Sequence, residues 1–387
     1  MVTLQRMLEV LTSHRRRRPQ MEAYVGQQFV GMDLHRRRSV LVRMTAAGEV
    51  LETARIVNDV DRLTEVIARA GEAPEVVLEA TYGWYWAVDA LRAAGAGVHL
   101  AHPLGVKAFE YRRVKNDVRD ASDLADLLRM GRLPEAWIAP PATRELRELV
   151  RHRAKLVALR SHCKAEVHAV LAKCGIAVAM SDLFGLAGGL LLDGLALPKP
   201  YAARIASLRR VMDALDFEID LFSGLVRGQL VRDPGYIAVQ TIPGIGPVLG
   251  AVMVAEIGDV TRFASADKLT CWAGMTPKHH ESDTKVRRGR ITKQGSRLVR
   301  WAAVESVQLL PKTTRLGQFR DQVAVRRGHN IAVVAAARRQ LEYVYYALRD
   351  HHVRDLHPAP SPHTGSRPGQ GLMSTTPELV GAKSRRS

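Results

Sequence analysis

Four carboxylates stand where they could bind divalent metal ions. Asp33 and Glu79 each end an apolar run that predicts a strand. Asp117 and Asp120 are three residues apart at a predicted helix start, so both side chains point to one face. Two Mg²⁺ ions about 4 Å apart need carboxylate oxygens from several elements. The four acids are therefore candidate ligands of a two-metal site, in which one ion activates an attacking oxygen and the other stabilises a leaving oxygen of a phosphodiester.

Each acid also has a purely structural explanation, which the sequence leaves open. Asp33 could be a turn residue, Glu79 a charge at a helix N-terminus and Asp117 an N-cap. An acid placed directly after an apolar strand occurs twice, however, and the i, i+3 pair follows. This repetition favours the metal site.

A second candidate site lies in a predicted cationic loop around Ser282. Between Lys278 and Arg300 the chain carries eight Lys or Arg residues and two acids, a balance suited to phosphate binding. A serine among such cations could attack a phosphorus atom and become ester-linked to DNA. The alternative is an ordinary turn or cap serine. The nucleic-acid-binding residues predicted in this loop are Lys285, Arg287, Arg288, Arg290 and Lys293.

The loop is expected to be mobile, with Gly289 and Gly295 as hinges. Such movement would let Ser282 reach a metal site on another domain or in another subunit. Ser296 is the second candidate for the nucleophile.

A glycine-rich turn at residues 241–250 resembles a helix-hairpin-helix turn. Gly244 and Gly246 would let backbone N–H groups approach a phosphate, and the helix that opens near Pro247 would direct its positive end there. Proline at a helix start with glycine before it is also a common way for a helix to begin, without any bound phosphate. We predict phosphate binding at Gly244 and Gly246.

The composition limits the class of protein. The 387 residues carry 57 Lys or Arg and 39 Asp or Glu, a formal net charge of +18, with a pI near 10.2. Such an excess indicates a polyanionic partner, nucleic acid first and a membrane surface second. No apolar run reaches the roughly 20 residues that span a bilayer, and the basic N-terminus is not a signal peptide. Three scattered cysteines exclude a disulfide scaffold and a cysteine zinc finger, and indicate a reducing cytoplasm.

The first half of the chain predicts an α/β domain. Predicted strands cover residues 28–33, 39–44, 50–57, 75–79 and 98–101, and predicted helices cover 59–70, 84–94 and 117–130. Three strands in a meander followed by alternating helices and strands is the order of an RNase H-like fold. That fold would bring the acids together.

The second half predicts mainly helices. Residues 143–174 lack Gly and Pro, and Leu149, Leu156, Cys163 and Val170 recur every seven residues, which is typical of a coiled-coil seam. We expect this helix to pair with a second one at 202–232 across a connector at 185–200. The predicted organisation is a basic extension (1–22), an RNase H-like domain (23–142), a helical coiled-coil spacer (143–236), a mainly helical C-terminal domain (237–350) and a disordered tail (351–387).

Five motifs occur in one order along the chain. They are Gly31-Met32-Asp33-Leu34-His35, Leu78-Glu79-Ala80-Thr81-Tyr82-Gly83, Lys115-Asn116-Asp117-Val118-Arg119-Asp120-Ala121, the Ile242-Pro243-Gly244-Ile245-Gly246 hairpin, and Gly289-Arg290-Ile291-Thr292-Lys293-Gln294-Gly295. In this order the chain resembles the insertion-sequence transposases that join a RuvC-like DEDD domain to a C-terminal serine domain, the "IS-one-ten" family. The resemblance spans roughly residues 24–348.

The resemblance implies a mechanism and partners. Asp33, Glu79, Asp117 and Asp120 would hold Mg²⁺, as two ions if the site follows two-metal chemistry, and Ser282 would become covalently linked to DNA. It further implies excision and insertion of a mobile element, guidance by a structured non-coding RNA, a homodimer or pair of dimers, and a cytoplasmic, nucleoid-associated protein without a membrane partner. Family members commonly carry Ser-Ser-Gly where this chain reads Glu281-Ser282-Asp283.

Two other functions remain open from the sequence. A hydrolytic junction endonuclease would use the same acids, with Ser282 incidental. A non-catalytic nucleic-acid-binding protein would need only the basic surface. A covalent protein–DNA adduct would distinguish transesterification from hydrolysis.

Overall fold

The computed structural model describes residues 24–109, 116–282 and 285–353. The chain divides between Ala139 and Pro140 into two compact units, and each has a hydrophobic core of its own. The predicted basic extension at 1–22 lies outside the described residues. So do Lys115, Asp283 and all but the first three residues of the predicted tail.

The first unit is built on a five-stranded mixed sheet with the strand order β3-β2-β1-β4-β5. Its strands are β1 (Gln28–Leu34), β2 (Arg38–Thr45), β3 (Val50–Val57), β4 (Glu75–Glu79) and β5 (Gly97–Ala101). The first three form an antiparallel meander, and β4 and β5 run parallel to β1. The predicted order, a three-stranded meander followed by alternating helices and strands, is confirmed.

Helices cover both faces of this sheet. They are α1 (Val60–Ala68), α2 (Trp84–Ala93), α3 (Pro103–Val106) with a 3-10 turn at Lys107–Phe109, and α4 (Asp117–Arg129). Leu63 of α1 and Leu91 of α2 share a buried cluster with Met32. Leu124 of α4 packs with Val77 on the opposite face, because successive strand residues point to opposite sides. The middle of α4 is thereby packed against β4.

The second unit opens with a long antiparallel helix pair, α5 (Pro141–Lys173) and α7 (Lys199–Leu230). Arg153 on α5 donates a 2.7 Å hydrogen bond to Ser223 on α7, and Arg160 pairs with Asp216 about two turns earlier on α7. On the predicted seam Leu156 and Val170 are buried, and Leu149 and Cys163 are half-buried. The pairing of these two helices is as expected, and a coiled-coil assembly between copies stays a prediction.

The predicted connector at 185–200 instead contains a helix, α6 (Leu186–Gly194). Its glycines suggest a loop, but Leu192 is buried with Leu183, and both pack in one cluster with Val167 and Leu171 of α5. Burial of these leucines stabilises the helix against the conformational freedom of its glycines.

The remaining elements pack around one central helix. They are α8 (Pro234–Gln240), α9 (Pro247–Ile257), a 3-10 turn (Val260–Arg262), α10 (Ala266–Trp272), β6 (Pro277–Ser282), β7 (Lys285–Ile291), α11 (Arg297–Gln308), α12 (Arg315–Arg327) and α13 (His329–Asp350). Leu341 and Val344 of α13 are fully buried among residues of α9, α10 and α11. The core continues to Val353, which is 7% exposed, so the packed chain extends past residue 351, where the sequence predicts a disordered tail.

The cationic segment is a β-hairpin rather than the predicted loop. Its strands β6 and β7 are antiparallel, with Ser282 opposite Lys285. The backbone N–H of Thr292 donates to the Thr276 carbonyl, which extends the pairing past the strands. Backbone pairing between segments rich in charge is not visible in the apolar pattern of either. No helix within the described residues has the length and apolarity needed to cross a membrane.

Candidate functional site

The carboxyl ends of β1 and β4 carry the first two predicted acids. Met32 lies opposite Leu78 in the parallel pairing of these strands, so Asp33 and Glu79 follow at the same edge of the sheet. Asp33 is paired with Val40 of β2, so it is a strand residue rather than a turn residue. Glu79 ends β4, and α2 begins later, after Gly83, so Glu79 is not a charge in the first turn of that helix.

The other two acids lie in the first turn of α4. Asn116 is the N-cap, and its side chain accepts a hydrogen bond from the Val118 N–H, so Asp117 is not needed as a cap. Gly31 brings α4 close to β1, because a Cβ at Gly31 would lie 1.7 Å from the Ala121 carbonyl oxygen. Gly31 and Asp33 share one face of β1. The contact at Gly31 therefore sets the first turn of α4 beside Asp33.

One cleft brings all four predicted acids together. Its other polar lining residues were not among the candidates predicted from the sequence: His35, Arg36, Thr81, Tyr82 and Asp123. Tyr82 is 80% exposed. Asp123 was detectable from the sequence, since it continues the i, i+3 spacing of Asp117 and Asp120 on α4. His35 was detectable only as a neighbour of Asp33 in sequence, because its second contact is far away along the chain.

His35 lies between two of the acids. Its Nε2 is 2.9 Å from Asp33 Oδ2 and 3.5 Å from Asp117 Oδ1. Asp33 Oδ2 is buried, and apart from this contact with His35 it has no hydrogen-bond partner among the described residues. One ligand atom from each of Asp33, His35 and Asp117 lies within 4.8 Å of the others. Three donor atoms that close form a group able to hold one metal ion.

The electrostatics at Asp33 fit a bound cation. Burial raises the pKa of the Asp33 carboxyl, the nearby His35 lowers it, and the charges of Asp117 and Asp120 raise it again. A carboxylate that has lost solvent beside two like charges is stabilised by a divalent cation, and hard oxygen donors are the ligands that Mg²⁺ prefers. The residues present therefore fit the metal ion that the sequence predicts.

Ser282 is the last residue of β6, at the tip of the hairpin, and its side chain is exposed. Glu281 precedes it on the strand, so the two side chains project to opposite faces. The Glu281 carboxylate instead lies 3.4 Å from His279 Nε2. Of the two acids that flank Ser282 in sequence, Glu281 is therefore turned away from the serine, and Asp283 lies outside the described residues.

The base of the hairpin is held firmly, so Gly295 is not the hinge that the sequence suggests. Gly295 has a φ of +73°, and a Cβ there would lie 1.9 Å from the Trp272 carbonyl oxygen. Arg300 Nη1 donates to the carbonyls of Ala273, Gln294 and Gly295 at 2.6–3.0 Å. The glycine serves a close backbone contact that fixes where the hairpin leaves the domain.

Ser296, the second candidate nucleophile, has structural contacts. Its Oγ accepts from the Val299 N–H as the N-cap of α11 and donates to Glu256 Oε2 at 3.0 Å. Glu256 is 4% exposed, and its carboxylate also accepts two hydrogen bonds from Arg151. Ser296 thus belongs to a network that ties α5 to α9 and α11.

The predicted nucleic-acid-binding residues are distributed over two surfaces. Arg287, Arg290 and Lys293 are exposed on or just after the hairpin. For Lys285 and Arg288 the structure describes the backbone in β7 and not the side chains, so their role stays a prediction. Gly244 and Gly246 lie between α8 and α9. A Cβ at Gly244 would lie 1.9 Å from the Ser306 carbonyl oxygen, whereas Gly246 has open space around it. Close packing against Ser306 is enough to explain why residue 244 is a glycine. Phosphate binding at this turn stays a prediction.

Two family models match the chain. The model described as "Transposase IS116/IS110/IS902 family" matches residues 237–323, which include the hairpin. A DEDD model of the same family, described as "Transposase", matches residues 30–176, which contain all four acids. Together they cover more than half of the chain. The chain belongs to the IS116/IS110/IS902 family of transposases.

Curated relatives agree with this family. A "Probable family 20 transposase" of Pseudomonas aeruginosa is 23% identical, over 68% of this chain and 80% of the relative. The "Insertion element IS116 uncharacterized 44.8 kDa protein" of Streptomyces clavuligerus is 26% identical, over 83% of this chain and 94% of the relative. The "Transposase for insertion sequence element IS1111A" of Coxiella burnetii is 24% identical, over 70% of this chain and 77% of the relative.

A solved structure titled "T. thermophilus RuvC in complex with Holliday junction substrate" also matches. It is 17% identical, and the match covers 28% of this chain and 99% of that chain with a TM-score of 0.23. A TM-score this low does not establish a shared fold.

Proposed function

We propose that this family member is a DNA transposase that excises and inserts an insertion sequence through Mg²⁺-dependent strand cleavage and a covalent phosphoserine intermediate. The observation that carries the proposal is the cleft at the edge of the first unit's sheet. There one ligand atom from each of Asp33, His35 and Asp117 lies within 4.8 Å of the others, in a chain of a transposase family. A structured non-coding RNA is the proposed guide.

In this proposal the cleft that contains the four acids binds the scissile phosphodiester. Asp33, Glu79, Asp117 and Asp120 would hold the metal, which when bound neutralises charge on the phosphate and lowers the pKa of an attacking oxygen. Arg36 lines the same cleft and brings a positive charge beside the phosphate. Thr81 and Tyr82 line it as well and offer hydroxyl groups to the sugar and phosphate oxygens.

The Oγ atom of Ser282 forms a phosphate ester with the cleaved strand, and this ester conserves the energy of the broken phosphodiester bond. In the first step the serine Oγ–phosphorus bond forms, the bond from phosphorus to the DNA 3′-oxygen breaks, and the hydroxyl proton leaves Ser282 and ends on that oxygen. In the second step another DNA 3′-hydroxyl attacks the phosphoserine ester, which restores a phosphodiester and returns a proton to Ser282. Two transesterifications balance without hydrolysis, which is what strand exchange requires.

The hairpin supports this role for Ser282 over Ser296. Ser282 is exposed at the tip, and its neighbour Glu281 projects to the other face. Ser296 is engaged twice, as an N-cap and as a donor to Glu256. Attack by Ser296 would require these contacts to break.

The test is trapping of the covalent adduct. Wild-type protein, Ser282→Ala and Ser296→Ala are incubated with Mg²⁺ and DNA carrying the element ends, and DNA-linked peptides are identified by mass spectrometry. We expect an adduct on the peptide containing Ser282. The Ser282→Ala variant should give no adduct and no recombinants, yet bind DNA like wild type.

Ser296→Ala is the matched control. It loses an N-cap, which costs about 1 kcal/mol of stability, but it should still form the adduct below its melting temperature. An adduct on Ser296 would reassign the nucleophile. Cleavage that persists in Ser282→Ala, without any adduct, would instead support a hydrolytic junction endonuclease. Binding without cleavage by the wild type would support a non-catalytic nucleic-acid-binding protein.

A further inference from the structure

A groove in the second unit, between β7 and the helices α12 and α13, has no role in the proposed chemistry. Its floor is apolar and includes Phe319 from α12 and Ile331 and Val334 from α13. Ile331 is 56% exposed, and the guanidinium carbon of Arg339 lies 5.0 Å from the centre of the Phe319 ring. The charged lining residues are Arg290, Lys293, Arg338, Arg339 and Glu342.

The charge of the groove is only partly compensated. Arg338 donates to Asp267 at 2.7 Å, so its charge has a partner. Glu342 is the single acid of the lining, and burial raises the pKa of its carboxyl while Arg338 and Arg339 lower it. The other three cations have no ion pair with any residue in the described part of the chain: Arg290, Lys293 and Arg339. An anion would therefore be attracted to this rim.

Lys293 has a backbone conformation that lysine rarely adopts. Its φ is +59°, a region that favours glycine and asparagine and costs other residues about 1–2 kcal/mol. Its N–H donates to the Gly274 carbonyl, so the strained position is fixed by the fold. A charged residue held where Asn or Gly would be more stable indicates that the ammonium group is used.

We propose that this groove binds an unpaired nucleotide of a DNA strand. The base would stack on the apolar floor of Phe319 and Ile331, and the flanking phosphates would contact Arg290, Lys293 and Arg339. Stacking on an aromatic or guanidinium face together with cations along the backbone is how proteins bind single strands without sequence preference. The inference rests on the proposed function, because strand exchange exposes unpaired DNA next to the hairpin that carries Ser282.

Charge complementarity selects a nucleic-acid strand over a protein partner. A helix from another copy would have to bring carboxylates against Arg290, Lys293 and Arg339, and the chain has an excess of 18 positive charges. A DNA strand brings one negative charge per nucleotide and a flat apolar base, which match the rim and the floor.

The experiment measures binding without chemistry. Fluorescence anisotropy reports the affinity of the full chain for a labelled thymidine dodecamer and for a dodecamer of abasic sites, in EDTA. We expect Lys293→Asn and Arg339→Gln each to lower the affinity for the thymidine dodecamer about fivefold or more. Ile331→Ser should lower that affinity about threefold or more and leave the affinity for the abasic dodecamer unchanged. Lys293→Asn should melt no lower than wild type, because Asn tolerates a positive φ.

Arg326→Gln is the matched control. It makes the same change of charge at an exposed position on α12 outside the groove lining, and it should bind both strands like wild type. Affinities of the groove variants that equal this control would overturn the proposal. So would equal losses on abasic and thymidine strands in Ile331→Ser, or tighter binding of a uridine dodecamer than of the thymidine one.

Three outcomes distinguish a failure of the groove proposal from a failure of the proposed function. Groove variants that change only the oligomeric state in sedimentation would reassign the groove to an interface between copies and overturn the proposal. A wild-type protein that binds neither single-stranded nor duplex DNA would contradict the proposed function itself. Wild-type binding with unaffected groove variants contradicts the groove alone.

Discussion

The negative charge of Asp33 lowers the stability of the metal-free fold, but the same charge is needed to bind a metal ion. Its carboxyl is shielded from water and lies beside Asp117 and Asp120, so its pKa is raised and the folded state binds a proton more tightly than the unfolded chain. The resulting contribution to stability is present below the unfolded pKa and decreases as pH rises through the folded pKa. At neutral pH, without metal, the charged Asp33 therefore weakens the fold, and a bound cation reverses this effect.

Asp33→Asn tests this balance at a single residue. In EDTA at pH 7 we expect the variant to melt no lower than wild type, because Asn removes the desolvated charge with little change of volume. In Mg²⁺ at roughly one hundred times its dissociation constant, wild type should gain about 2.7 kcal/mol of stability. The variant should gain almost none, and its cleavage of DNA should be lost while binding survives.

The measurement is thermal melting of each protein with and without Mg²⁺, next to a cleavage assay. Asp61→Asn is the control, since Asp61 is exposed on α1 and outside the cleft. A melting temperature of Asp33→Asn that rises with Mg²⁺ as much as that of wild type would remove Asp33 from the metal site.

At the scale of elements, a single close contact places the acids of α4 against those of the sheet. A Cβ at Gly31 would meet the Ala121 carbonyl at 1.7 Å, and this oxygen is backbone, so it cannot move without the helix. The first turn of α4 is thereby held beside the edge where Asp33 lies. The positions of the acids in the cleft therefore depend on residue 31 being a glycine, because any side chain there would push α4 away from β1.

Gly31→Ala should therefore damage both the fold and the site. We expect a loss of about 1–3 kcal/mol or more, as for other overpacked positions, and a smaller stabilisation by Mg²⁺, because α4 must move away from β1. Gly224→Ala is the matched control: Gly224 lies within α7 with open space at its Cβ position. That change should raise stability by up to about 1 kcal/mol. Equal melting temperatures for Gly31→Ala and wild type would contradict the tight contact.

The same contacts explain how much could be predicted from the sequence. Strands β1 to β5 were predicted because their apolar runs are local and each pattern is complete in itself. The helix α6 was missed because its stability comes from Leu183 and Leu192 packing on α5, and the hairpin because its pairing joins two charged segments. His35 was missed because its place between Asp33 and Asp117 exists only after α4 has packed on the sheet.

At the scale of the whole molecule, positive charge is the dominant feature. The net charge of +18 belongs to a chain whose family is named for transposases of insertion sequences, and four cations line the groove beside the serine hairpin. Binding of such a chain to a polyanion releases condensed counterions, so its affinity is governed by the salt concentration.

The dependence on salt gives the last prediction. The logarithm of the binding constant for duplex DNA should fall linearly with the logarithm of the salt concentration, by about 0.9 per phosphate contact. For about 6–10 contacts the affinity falls by about 10³–10⁵ between roughly 50 and 200 mM salt. On single strands the slope is about 0.7 per contact, so Lys293→Asn should reduce the single-strand slope by about that amount while Arg326→Gln leaves it unchanged. Fluorescence anisotropy in EDTA at several salt concentrations measures both slopes. An affinity that does not change over this range would mean that the positive charge of the chain has another partner, because phosphate contacts cannot form without releasing counterions.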